Sequence, residues 1–105
     1  MPITLLYTTV KNKLEAENLA SKLLEERLIA CANIQPSITS LYRWQGAVEK
    51  EPEVPILLKT HTDRVDAAMA RIAELHPYDT PCILTLPIDK ADPSFVEWIF
   101  SNTRD

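Results

Sequence analysis

One glycine, Gly46, stands inside the longest extended stretch of this 105-residue chain, and it is the only glycine present. From Ala30 to Thr60 the sequence reads ACANIQPSITSLYRWQGAVEKEPEVPILLKT, two strand-like runs hinged on Gln45-Gly46. Each run is about a dozen residues long, whereas strands usually hold about 5–6. A hairpin of that reach projects beyond a compact domain and carries Tyr42 and Trp44 near its tip, where a lone subunit leaves them in water. The expectation is an arm that joins subunits, with Tyr42, Trp44, Gln45 and Gly46 at the interface.

The single glycine also excludes chemistry. No Gly-rich phosphate cradle can be built, so a P-loop or a dinucleotide fingerprint is ruled out. Net charge is −4 with only 11 scattered basic residues, which argues against nucleic acid as a partner. No apolar stretch approaches the roughly 20 residues of a membrane span. The N-terminus lacks the basic start and small-residue cleavage site of a signal peptide. Cys31 and Cys82 lie in apolar, strand-like surroundings and read as reduced thiols of a cytoplasmic protein.

The rest of the chain supplies the frame, a single domain over residues 1–105. Pro2 to Val10 is near-continuously apolar and β-branched, the pattern of a central strand. Asn12 with Glu15 three places on forms a capping box, and the period of Ala16, Leu19, Ala20, Leu23, Leu24 and Leu28 predicts a helix from Lys13 to Leu28. In the next strand Ala30, Ala32, Ile34 and Ile38 share one face, Pro36 implies an edge or bulge, and a bulge is expected between Thr39 and Leu41. Pro52 and Pro55 keep the outer half of the return strand out of central pairing. Thr60 or Thr62 is expected to cap a second helix with the stripe Val65, Ala68, Met69, Ile72, Leu75 and His76. That helix must stop before Pro77. A stiff HPYDTP turn leads to a strand from Cys82 to Ile88. Asp92-Pro93-Ser94 then starts a last helix, and Asn102 to Asp105 are expected to fray.

The resulting β-α-β-β-α-β order plus a terminal helix is an α+β, ferredoxin-like fold, with the usual strand order 4-1-3-2. Its second and fourth strands are exposed edges, which a three-fold ring could cover.

On ERLIACANIQPSITSLYRWQG, EVPILLKT, LHPYDTP and the terminal EWI helix, the chain resembles the CutA family of divalent-cation tolerance proteins. The resemblance spans nearly the whole chain. It implies a subunit akin to PII signalling proteins, a tight homotrimer, a link to copper and other divalent metals, and no established catalysis. Two positions depart from the family pattern: Asp79 stands where Glu often follows HPY, and Cys82 stands where Glu commonly follows the second proline. Candidate metal ligands are Cys31, His76, Cys82 and the oxygen donor Asp79. Thiolates with imidazole suit Cu(II) or Zn, and no metal is expected to be needed for folding. Cys31 and Cys82 lie on opposite sheet edges, so a shared site would have to be completed by a neighbouring subunit. Two further readings stand beside it: an intersubunit enzyme pairing Cys31 with His76, aided by Tyr78 and Lys59, and a small-molecule sensor or protein-interaction module. No catalytic residue is assigned, and no protein partner is named by the sequence.

Overall fold

A computed structural model describes residues 3–104. Pro2, placed at the start of the first expected strand, and Asp105, in the expected fraying tail, lie outside the described residues. The order of elements is β1 (Ile3–Val10), α1 (Lys13–Glu25), β2 (Cys31–Ile34), β3 (Ile38–Trp44), β4 (Ala47–His61), a 3-10 turn (Thr62–Arg64), α2 (Val65–Leu75), β5 (Ile83–Ile88) and α3 (Pro93–Asn102). The sheet runs β2-β4-β1-β5, antiparallel throughout, with β3 extending β4 into a ribbon beyond it. With β2 and β3 counted as the second expected strand, this is the 4-1-3-2 order. Gln45 and Gly46 both have positive φ, 51° and 82°. They make a two-residue hairpin turn whose twist suits the strands it joins.

Alternation divides the sheet into two faces. Leu6, Thr8 and Val10 of β1 and Val54, Ile56 and Leu58 of β4 are buried, and the apolar members of that set pack with Ala16, Leu19 and Leu23 of α1 and Ala68 and Ile72 of α2. The opposite face is covered only at one end, where α3 sets Ile99 against Ile3 and Ala30. Beyond that cover lie Leu84 and Leu86, 54% and 46% exposed, and α3 itself carries a stacked, exposed Phe95–Trp98 pair with centroids 5.8 Å apart.

Several local expectations are corrected. Helix α1 ends at Glu25, not Leu28, because Arg27 takes φ 56° and the amide of Leu28 returns to the carbonyl of Leu23 at 3.0 Å. This is a Schellman stop, a conformation that glycine normally supplies. The bulge lies at Gln35–Ser37 and not at Thr39–Leu41: Cys31 to Ile34 pair with Lys59 to Ile56, but Ile38 pairs with Glu53, so three residues oppose two. From Ile38 to Trp44 the register is unbroken, and Leu41 is simply an exposed leucine (69%) on a ribbon with two wet faces. Pro36, with no N–H to give to a ladder, is where the extra residue fits. The slip also removes Ile38 from the face of Ala32 and Ile34, and Ala30, which precedes the strand, packs under α3 instead.

Thr60 and Thr62 do not cap α2. The Thr60 hydroxyl donates to the carbonyl of Leu28, Thr62 bonds Thr4, and α2 grows out of the 3-10 turn with no side-chain cap. The C-terminal segment docks where fraying was expected. Thr103 is fully buried with its hydroxyl on the carbonyl of Ile99, and Arg104 lies 4.0 Å over the Phe100 ring while pairing with Asp63.

Candidate functional site

The four expected ligands fall into two groups. Cys31 opens β2, and the row across the sheet at its level is Cys31, Lys59, Leu5 and Leu86. Cys82 precedes Ile83, which pairs with Thr8, and so stands four residues from Leu86 along the far edge. At about 3.3 Å per residue and about 4.8 Å per strand spacing, the two thiols of one chain are far beyond disulfide or shared-ligand reach. Both cysteines are unpaired thiols. Their alternation with Lys59, Leu84 and Leu86 places both on the same open face, at opposite edges and different levels.

Neither thiol is poised as a thiolate by its own chain. Burial pushes the Cys31 thiol up, with the neighbouring Lys59 ammonium pulling part of the way back. Burial also pushes Cys82 up, and there the nearby charge is the Glu53 carboxylate, which raises it further. A cation is what would favour ionisation of Cys82.

His76 lies at the Cys82 end, at the junction of α2 and the HPYDTP turn. It is 7% exposed. Its Nδ1 accepts the backbone N–H of Tyr78 at 3.2 Å, which leaves Nε2 to donate to the carbonyl of Thr9 at 2.8 Å. Both ring nitrogens are therefore engaged within the chain. The Tyr78 ring stands edge-on to the imidazole at 4.6 Å, and its hydroxyl donates to Glu53 at 3.3 Å. Asp79 is exposed on the same turn.

Glu53 is the residue that sequence reasoning passed over. Bracketed by Pro52 and Pro55, it reads as a break in pairing; folded, its carboxylate accepts the Tyr78 hydroxyl, and its charge is felt by Tyr7, Tyr42 and Cys82 as well. Tyr78 is pushed up to about 12 by burial and by Glu53. Tyr7 and Tyr42 are also raised, by burial first and with Glu53 among the charges responsible. The local half of this arrangement lies within the HPYDTP turn that the sequence marks, where the amide of Tyr78 returns to the imidazole two residues before it. The other half depends on a contact across 25 residues. Among the described residues no group of three or more His, Cys, Asp or Glu side chains gathers at one point.

A family model described as CutA1 divalent ion tolerance protein matches residues 4–102. This chain belongs to the CutA family. The divalent-cation tolerance protein CutA of Thermus thermophilus is 42% identical to it over 95 residues, covering 90% of this chain and 92% of the relative. The crystal structure of the divalent ion tolerance protein CutA1 from Ehrlichia chaffeensis superposes with a TM-score of 0.94 at 42% identity, covering 97% and 95% of the two chains. The structure of the protein from Archaeoglobus fulgidus, described as a periplasmic divalent cation tolerance protein CutA, gives 0.93 at 32% identity over 97% and 99%. The family is described by tolerance to divalent ions and not by an enzymatic reaction. Among the described residues no helix is long and apolar enough to cross a membrane.

Proposed function

We propose that this CutA works as a homotrimer that holds a divalent metal ion, copper(II) or zinc, at the seam between subunits. The observation that carries the assembly is the uncovered apolar surface. Leu84 and Leu86 lie open on the sheet, the Phe95–Trp98 stack lies open on α3, and Tyr42 and Trp44 remain 42% and 45% exposed on the ribbon. An isolated two-stranded ribbon is marginal in water, and an apolar surface of this extent marks an interface. A ring in which the β2 edge of one subunit meets the β5 edge of the next covers both edges and closes. Tyr42, Trp44, Gln45 and Gly46 then rest on a neighbour.

The same ring brings the Cys31 edge of one chain to the edge of the next that carries Cys82 and Asp79. Thiolate donors with a carboxylate suit copper and zinc. His76 joins that set only by surrendering one of its two hydrogen bonds. No catalytic role is assigned to any of these residues. We place the protein in the cytoplasm on the strength of its two unpaired thiols.

Sedimentation at micromolar concentration is expected to show a trimer, and Trp44→Ala with Tyr42→Ala to shift it toward smaller species. A stable wild-type monomer would sink the assembly. Calorimetric titration of copper(II) and zinc is expected to lose affinity in Cys31→Ala and in Cys82→Ala; equal binding in all three proteins would remove the metal reading. A PII-like signalling role is the second reading. It is favoured by a cleft of about 910 Å³ floored by Ile3, Ile88, Val96 and Phe100. A thermal shift with a nucleotide or amino acid, and none with metal, would select it.

A further inference from the structure

The other histidine of the chain, His61, is buried at a place the metal reading does not use. It ends β4, is 4% exposed, and stands in register with Ile3 and, through Ile3, with Ile88. Neither ring nitrogen has an aligned hydrogen-bond partner. Nδ1 is 2.9 Å from Oδ1 of Asp63 but off the line of a bond, and Nε2 has no partner at all. Buried polar groups are nearly always bonded, so an exception calls for a reason.

His61 closes a ring of contacts that clasps the end of α3 to the sheet. Its imidazole stands edge-on to the Phe100 ring at 5.1 Å, the Arg104 guanidinium lies 4.0 Å over the same ring, and Arg104 donates to Asp63. Thr103, just before Arg104, is fully buried. The other end of α3 is fixed separately, by the Asp92 carboxylate accepting the amides of Ser94 and Phe95. The helix is anchored at its start and clasped at its finish.

Charge in the clasp is unbalanced. The carboxylate beside the imidazole is Asp63, which is 54% exposed and already engaged by Arg104. The cations around it are Arg104, Arg64 on the same 3-10 turn, and Lys59, two residues back on β4 with its ammonium 5.7 Å from the Phe95 ring of α3. The residue opposite on β1, Ile3, brings no charge. Burial pushes the Asp63 carboxyl up, but Arg104 and the nearby His61 outweigh that and hold it below its ordinary value, so it stays an anion while an imidazole titrates. An imidazolium here has two unaligned donors, is out of water, and shares one exposed carboxylate with an arginine.

We propose that the C-terminal end of α3 is a pH-sensitive latch, closed over the sheet while His61 is neutral and released when His61 is protonated. In the open form both ring nitrogens reach water, so that form takes up the proton more readily. Closure is therefore favoured above about pH 6.5, the ordinary value of an imidazole, and is lost below it. Phe100 carries the effect further, because with Ile3, Ile88 and Val96 it also lines the cleft of about 910 Å³. Release takes one wall from that cleft and uncovers Ala30, which packs with Ile99 and leads into Cys31.

The test is proton–nitrogen NMR of the full-length protein between about pH 8 and about pH 5. The indole signals of Trp98 on α3 and Trp44 on the ribbon report the latch and the arm separately in one spectrum. The Trp98 signal is expected to move with the midpoint of the His61 ring protons. The Thr103 amide, bonded to the carbonyl of Phe100 at 3.2 Å, is expected to lose protection about 10-fold per pH unit below that midpoint, the slope for one coupled proton, once the intrinsic effect of pH on exchange is removed. His61→Phe, which keeps a ring and cannot be charged, is expected to hold Thr103 protected in acid, and His61→Lys to expose it even at about pH 8. Unchanged protection of wild type across the range overturns the proposal. So does acid release that persists in His61→Phe, or that follows the midpoint of His76 in place of His61. Should His61→Phe fail to fold by circular dichroism, the match or mismatch of midpoints in wild type decides.

Discussion

The two halves of β4 are one continuous strand, yet they rest on different physics. From Val54 to His61 it pairs with β1 on one side and, over Ile56–Lys59, with β2 on the other, and Ile56, Leu58 and Thr60 are fully buried. From Ala47 to Glu53 it pairs with β3 alone and is mostly exposed. Backbone hydrogen bonding continues through both halves, so it does not account for the difference. The inner half is held by apolar area removed from water. The outer half has a ladder and little else of its own, and its stability has to come from what it touches outside the subunit.

The comparison breaks first at Leu58. Leu58→Ala is expected to cost about 3 kcal/mol, inside the usual range of about 2–5 kcal/mol for a core leucine, read as a drop in the urea midpoint. A loss below about 1 kcal/mol would mean that the inner half is not the foundation of the fold. The boundary between the halves gives a smaller, pH-dependent effect. Tyr78 is tied to Glu53 there, and its phenol is pushed from the ordinary value near 10 up to about 12. Because the folded value lies above the unfolded one, the associated stability is full below about pH 10 and is lost as pH rises toward 12. Tyr78→Phe is expected to flatten that alkaline decline in thermal melts, and an unchanged decline would place its cause elsewhere. The smallest effect belongs to the outer half. Leu41→Ser on the 69%-exposed leucine is expected to stay within about 0.5 kcal/mol, and a larger loss would show that this side of the ribbon is covered in solution.

These halves were unequally legible in the sequence. Apolar periodicity located α1, α2 and the inner strands, because burial on one face is what periodicity records, while α3 was marked by its Asp92-Pro93-Ser94 start. The hairpin turn was plain from Gln45-Gly46. The end of α1 was missed because Arg27, not glycine, takes the left-handed conformation there. The bulge was displaced because a two-faced wet ribbon has no buried side to make Leu41 exceptional. At the candidate site the sequence marked His76 and Cys82 by residue type. It could not show that both imidazole nitrogens were already engaged, nor that Glu53, separated by 25 residues from Tyr78, would stand beside it. Residue type announces what a side chain can bind. Only the fold decides what it has already bound.

The extra residue at Gln35–Ser37 has one more consequence. Upstream of it, odd-numbered residues of the first arm strand face odd-numbered residues of β4; downstream, even-numbered ones do. That change of parity sets Tyr42 and Trp44 on the side of Glu49, Glu51 and Glu53, and leaves Leu41 and Arg43 on the side of Lys50. Deleting Ser37 would keep the composition of the arm almost intact and turn it inside out. The aromatic pair would change places with a leucine and an arginine, and a neighbour would meet a differently charged, less aromatic surface. Which face this arm presents to another molecule is thus written in the length of a three-residue connection, and not in the residues that do the presenting.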